Sequence, residues 1–383
     1  MKNKIFLINI IMKYDILIVG AGLAGSVIAE QFATKFKKKV LIIEKRNHIA
    51  GNIYDYVDKD TGILMNKYGA HLFHTNNDRV WEYVNKFSEW VRWDHEVVGE
   101  VDNKLVNIPV NINTVNALCG QNIKNSEEMD IWLNKNQIKY KNIDNSEKMA
   151  KSRVGKVLYE KIFRDYTFKQ WNKYPSELDP SVMARIPIRN NFDNRYFDDK
   201  YQALPKKGYT DFIKKMVKNK NIKVKLNTDY HDFMKKHSIS DFEYIIYTGP
   251  IDRFYDNTNL EKLEYRSIDF IIEKYKNMNY YQPNSVVNYP QNNCSFTRIV
   301  EYKHFLDQKS KGTIIVKEIT TDKGEPYYPV FNKKNMELYE KYKALTADEK
   351  NVHFLGRLAN YKYFNMDATI LNSLEYFDNH FVK

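Results

Sequence analysis

Apolar and polar positions near the start of the chain fall into a strand–turn–helix–strand pattern. YDILIVG (14–20) is an unbroken apolar run, as in a parallel strand buried on both faces. SVIAEQFATKF (26–36) then places Val27, Ile28, Phe32 and Phe36 at roughly helical spacing, and KKVLIIEK (38–45) is a second apolar strand ending at Glu44. The break between the first strand and the helix holds Gly20, Gly22 and Gly25 in the spacing G-x-G-x-x-G. In that frame Gly20 permits the tight turn, Gly22 leaves room for a pyrophosphate, and Gly25 lets the helix pack on the strand. The helix N-terminus faces the phosphate charge, and Glu44 stands where it can accept hydrogen bonds from ribose hydroxyls.

Further along, residues 113–170 read as several short amphipathic helices. YPSELDPSVMARIPI (174–188) carries three prolines, so it cannot be one helix and is expected as a loop bearing Arg185. DFEYIIYTGP ends a short strand at Gly249-Pro250. LEYRSIDFIIEKY, NSVVNYP, SFTRIVEYKHF and GTIIVKEIT, between residues 263 and 320, alternate like strands of an antiparallel sheet. EPYYPV (325–330) reads as an extended turn. NVHFLGRLANYKYFNMDATILNSLEYF (351–377) reads as a strand, a Gly-Arg turn and a closing helix.

With 383 residues, 43% hydrophobic and 14% aromatic, the chain can fill more than one core. Cys119 and Cys294 stand alone, which argues against a disulfide scaffold, a zinc site or a CxxC pair and fits a reducing compartment. His71 and His74 lack a third ligand, so no metal site is expected. No apolar run reaches the ~20 residues of a membrane span. MKNKIFLINIIMKYD lacks the cleavage site of a signal peptide, so the protein is expected in the cytoplasm, with Met12 opening the domain and residues 1–11 a short extension. The formal charge of +12 comes from scattered lysines in a chain rich in Asn, Ile and Tyr. It suits an anionic small molecule better than nucleic acid.

KRNHIAGNIYD, after Glu44, resembles the second fingerprint of amine-oxidase-like FAD proteins, with Ala50-Gly51 where two glycines are common. FAD is therefore expected rather than NAD. EKRNHIAGN, KYGAHLFHT, YTFKQW, RYF, YQALPKKGYT, IYTGPID, YRS, TRIVEYKHF, EPYYPV and GRLANYKYFNMD together resemble one family, UDP-galactopyranose mutase, from about residue 13 to 372. The resemblance implies an α/β fold: a discontinuous Rossmann-like FAD domain, a helical insert and a six-stranded antiparallel sheet. It places the FAD domain at 12–80, 205–255 and 345–383, the helical domain at 111–182, and the sheet domain at 81–110, 183–204 and 256–344.

It also implies the interconversion of UDP-galactopyranose and UDP-galactofuranose, with N5 of reduced FAD as nucleophile on the anomeric carbon. NAD(P)H would act as reductant, in a homodimer. Catalysis falls to Arg185 and Arg298, matching the diphosphate arginines, with His74 near the flavin ring. Substrate contacts fall to Phe163 and Tyr166 around the uracil and to Trp171 beside the sugar. Tyr196, Tyr328 and Tyr363 match phosphate-bonding positions, and Arg266 and Asn288 match lesser contacts. Cofactor contacts fall to Gly20, Gly22, Gly25, Glu44, Lys45, Asn52, His71 and Arg357. Ile162, Asn172 and Asn365 depart from the family pattern, where an aromatic, a glycine and an aspartate are usual. Two other readings stay open on the same residues: an FAD-dependent oxidase or dehydrogenase, and a nucleotide-binding protein without turnover.

Overall fold

The computed structural model describes residues 14–382. The expected start at Met12, the extension 1–11 and the final residue 383 lie outside them.

Five strands form a parallel sheet in the order Ile222–Lys225, Val40–Ile43, Ile16–Val19, Tyr244–Tyr247, Val352–Phe354. In chain order this is 3-2-1-4-5, a doubly wound arrangement whose ligand crevice lies beyond the carboxyl ends of the strands. The apolar run of the first strand has the burial its composition calls for, since Ile16, Leu17 and Ile18 are all fully enclosed. Helix Leu23–Lys35 covers one face and packs on the closing helix Met366–Phe381, with the rings of Phe32 and Phe377 5.0 Å apart, edge to face. Leu17, Tyr247, Phe354 and Tyr342 form the core on the other face.

The second sheet differs from the expected one in two respects. It has seven strands, in the order Tyr328–Pro329, Tyr265–Tyr275, Thr313–Thr321, Arg298–Glu301, Val286–Asn288, Val97–Val101, Lys104–Ile108. It is also mixed, because Val286–Asn288 runs parallel to Val97–Val101 while the other pairs are antiparallel. Alternating hydrophobicity marks a strand but says nothing of the direction of its neighbour. The segment from Trp81 to Arg92, expected with this sheet, packs elsewhere. Helix Asp78–Asn85 and strand Trp90–Arg92 join Tyr209 and Phe212 in the core beside the dinucleotide-type fold.

The helical layer runs Ile112–Cys119, Ser126–Asn136, Ser146–Leu158 and Asp165–Trp171. Asn111, Asn125 and Asn145 cap the first three, each accepting from the backbone N–H three residues on. A π-helical turn, Tyr159–Arg164, precedes the last helix and buries Ile162 and Phe163. Arg185 follows a single helical turn, Ser181–Ala184, within the proline-rich segment.

A half-buried histidine between the last strand and the closing helix sets a pH limit on stability. Nδ1 of His353 lies 2.8 Å from the Tyr376 hydroxyl, and its Nε2 is enclosed with no partner. Burial, with His380 nearby, pushes its pKa down to about 4. The unfolded chain, with His near 6.5, therefore binds more protons between those values, and stability falls as pH drops from 6.5 towards 4. His71 and His95, also pushed down by burial, act in the same direction. After discounting for partial solvent screening, His353 contributes about 2 kcal/mol across that window. Urea unfolding at pH 7.5 and pH 5 should show the larger part of this loss, and His353→Gln should flatten the slope.

Candidate active site

Two cavities meet beyond the parallel sheet. The first, about 250 Å³, is lined by Gly20, Gly22, Glu44, Lys45, Asn52 and, towards its far end, His71 and Arg357. Its shape follows from backbone packing. Gly20 has φ +109°, a left-handed conformation that L side chains rarely adopt. Gly51, φ +54°, comes so near the loop that an added Cβ would lie 2.8 Å from the Cα of Gly22. Gly25 does not line the cavity; a Cβ there would overlap the carbonyl oxygen of Gly20, so it fixes how closely the helix approaches the turn.

The helix Leu23–Lys35 starts at Gly22 with no side-chain cap, leaving its first N–H groups open towards the cleft. Glu44 accepts from the backbone N–H of Ala21 and of Arg46, each at 2.9 Å, which holds the carboxylate at the strand end. Lys45 pairs with Glu325 across the mouth, and Asn52 accepts from Arg46 at 3.0 Å. Uncapped N–H groups, a glycine cradle and a fixed carboxylate make a donor and acceptor set that fits a dinucleotide.

The second cavity, about 550 Å³, lies between the helical layer and the mixed sheet. It gathers Phe163, Tyr166, Trp171, Arg185, Tyr196, Asn288, Arg298, Tyr328 and Tyr363. His71, Arg357 and Met366 line both cavities and mark where they join. His74 lines the second alone: its Nδ1 lies 2.9 Å from Asp199 and its ring stacks on Phe197 at 3.7 Å. His71, with Nδ1 held 2.8 Å from the Gly69 carbonyl, is the histidine at the junction, and burial keeps it neutral with a pKa of about 4.

Besides Gly25, Arg266 is the expected site residue that lines neither cavity. It is 6% exposed, donates from Nε to the Gln170 carbonyl at 3.2 Å, and borders a separate hollow with Arg253 and Asp322. Its cross-strand neighbour Tyr328 is the one that reaches the second cavity.

The two arginines expected to act together differ in surroundings. The guanidinium of Arg185 lies over the Tyr363 ring, 4.3 Å from its centroid, and its Nε donates to the Val182 carbonyl. Arg298 pairs through Nε with Glu318 at 2.7 Å, and Glu318 is 2% exposed. Arg357 lies 5.2 Å from the Tyr363 centroid and 5.4 Å from that of Tyr328, two rings stacked at 5.6 Å. Burial would push the Tyr363 phenol up, but Arg185 and Arg357 outweigh it and hold it below the usual range. Burial pushes Tyr328 up to about 12 and raises Tyr166 and Tyr196, so these three remain O–H donors at neutral pH. Guanidiniums and neutral phenols converging on one space make a receptor for a phosphorylated anion, with an aromatic end for a flat ring.

Sequence reasoning missed Glu318, Asp199 and His95. Glu318 stands as an acid in the apolar run TIIVKEIT, which marks it for burial, but only the strand register sets it opposite Arg298. Asp199 meets His74 across 125 residues, and no local pattern signals that.

Against known proteins, the family model described as UDP-galactopyranose mutase matches residues 161–363, and one described as an NAD(P)-binding Rossmann-like domain matches 18–87. A probable UDP-galactopyranose mutase of Klebsiella pneumoniae is 37% identical over 365 residues, covering 94% of this chain and 93% of its own. A dTDP-fucopyranose mutase of Escherichia coli is 34% identical over 367 residues, covering 94% and 96%. Among solved structures, a reduced UDP-galactopyranose mutase shares the fold at TM-score 0.75 and 16% identity, covering 96% of this chain and 95% of the other.

Proposed function

The chain belongs to the UDP-galactopyranose mutase family of isomerases, and from that premise we propose that it interconverts UDP-galactopyranose and UDP-galactofuranose with FAD held in the first cavity. The observation that carries this reading is the convergence of Arg185, Arg298, Tyr196, Tyr328 and Tyr363 in a cavity that opens into the dinucleotide-type cleft. Gly20, Gly22 and the open helix N-terminus would hold the pyrophosphate, Glu44 the ribose, and His71 and Arg357 the ring end. Reduced flavin, when bound, supplies an electron pair at N5 for attack on the anomeric carbon.

The chain's own residues do the rest. Phe163 and Tyr166 take the uracil, and Trp171 borders the sugar. Arg185 and Arg298 hold the diphosphate while it is detached, so that it stays within reach to return. The tyrosine hydroxyls add donors without adding charge. NAD(P)H as reductant, a homodimer and a cytoplasmic setting are part of the same proposal and rest on the resemblance alone. Among the described residues, no helix is long and apolar enough to cross a membrane.

The test is dithionite-reduced holoenzyme incubated with UDP-galactofuranose and followed by chromatography. Conversion to the pyranose without peroxide or NAD(P)H in proportion to product supports the mutase. Net electron transfer would favour an oxidase or dehydrogenase, and UDP binding without turnover a degenerate site. Because one relative is a dTDP-fucopyranose mutase, the matching dTDP-sugar is the control for nucleotide choice.

A further inference from the structure

Among the polar side chains that line the second cavity and have no task in the proposed function is His95. His95 is 4% exposed and lines that cavity. Its ring sits among Tyr196, Phe197 and Phe305, with centroids 6.0, 6.1 and 6.3 Å away. The indole N–H of Trp93 donates to Nδ1 of His95 at 3.4 Å. A ring nitrogen that accepts carries no proton, so in the neutral ring the proton sits on Nε2. Burial, with Arg298 and His74 close by, pushes the His95 pKa down to about 3, which keeps the ring neutral at physiological pH. Nε2 makes no hydrogen bond among the described residues and is not one of the fully enclosed atoms, so it is open to a partner in the cavity.

We propose that Trp93 and His95 form a hydrogen-bond donor of fixed tautomer that reads an oxygen on the hexose of the nucleotide sugar, with Trp93 as the positioning residue. This rests on the mutase reading. The location favours the hexose over the other parts of the substrate. Phe163 and Tyr166 occupy the aromatic end of the cavity. Arg185 and Tyr363 supply charged and polar donors for the diphosphate. His95 instead shares Phe197 with His74, three residues from the junction residue His71. A donor that cannot turn into an acceptor selects for an oxygen lone pair at that point.

The experiment compares flavin-loaded, reduced wild type with His95→Phe, His95→Gln and Trp93→Phe. It reads kcat/KM for UDP-galactofuranose, Kd for UDP alone, and the histidine ¹⁵N resonances. His95→Phe is expected to lose about tenfold in kcat/KM while its UDP Kd stays within about twofold. His95→Gln, whose amide N–H reaches towards the place of Nε2–H, should recover most of that loss. Trp93→Phe should fall between, with the His95 resonances showing both tautomers where wild type shows Nε2–H alone. In wild type those resonances should shift with UDP-galactose and not with UDP, a readout that survives if His95→Phe fails to fold. Unchanged kcat/KM in His95→Phe overturns the proposal, as does a parallel loss of UDP affinity, which would place the contact on the diphosphate. A single unchanged tautomer in Trp93→Phe removes Trp93 from it. Absence of turnover in wild type would sink the mutase reading instead, and is seen without any variant.

Discussion

Arg298→Ala is expected to lower kcat/KM by about two orders of magnitude and to destabilise the fold at the same time. Losing charge-assisted hydrogen bonds to a diphosphate costs about 1.5–3 kcal/mol for each, which alone is tenfold to more than a hundredfold. The second effect comes from Glu318, which the substitution leaves buried without its cation. Removing one member of a buried pair costs about 3–5 kcal/mol when the other is fully enclosed, and less here because the Arg298 side chain is 27% exposed. Arg185→Ala should cut turnover to a similar degree with a smaller drop in Tm, because no carboxylate loses its partner. Adding Glu318→Gln to Arg298→Ala should restore Tm and leave turnover low. Steady-state kinetics, thermal melts and the flavin absorbance of each variant separate these outcomes. Wild-type turnover in both arginine variants would remove them from the reaction.

Gly51→Val should give a colourless protein. The residue sits at φ +54°, where a β-branched side chain is strained, and its Cβ would come within 2.8 Å of the Cα of Gly22. Both segments are backbone, so relief requires the two loops to part, and the cleft they form is lost. Gly62→Ala is the matched control. It has φ +72°, but no atom lies within 4 Å of its added Cβ. That variant should lose only about 1–2 kcal/mol and keep its flavin. The flavin-to-protein absorbance ratio after purification, with Tm for each variant, is the measurement.

What the sequence disclosed of this molecule was what short stretches of chain decide for themselves. The strand Ile16–Val19, the glycine turn and the helix Leu23–Lys35 lie within about twenty residues, and each is legible from apolar spacing and backbone freedom alone. The family resemblance extended that reading to side chains hundreds of residues apart. What escaped both depends on how strands are paired. Glu318 meets Arg298 through antiparallel register. Arg266, in a strand read from the sequence, falls outside the cavity because its guanidinium turns to the carbonyl of Gln170. The parallel pairing of Val286–Asn288 with Val97–Val101 was hidden for the same reason: neither strand encodes the direction of its neighbour.

The parallel sheet draws its strands from residues 16 to 354 and is sealed by a helix reaching residue 381. On the ribosome, therefore, the glycine turn emerges long before Gly356, Arg357 and Met366, and its walls are incomplete until they have followed. A nascent chain that stops short of those residues has no finished pocket to charge with cofactor. Flavin loading must then come after the chain has been made as far as Met366, and a premature stop before residue 350 should yield apoprotein however sound its glycine motif.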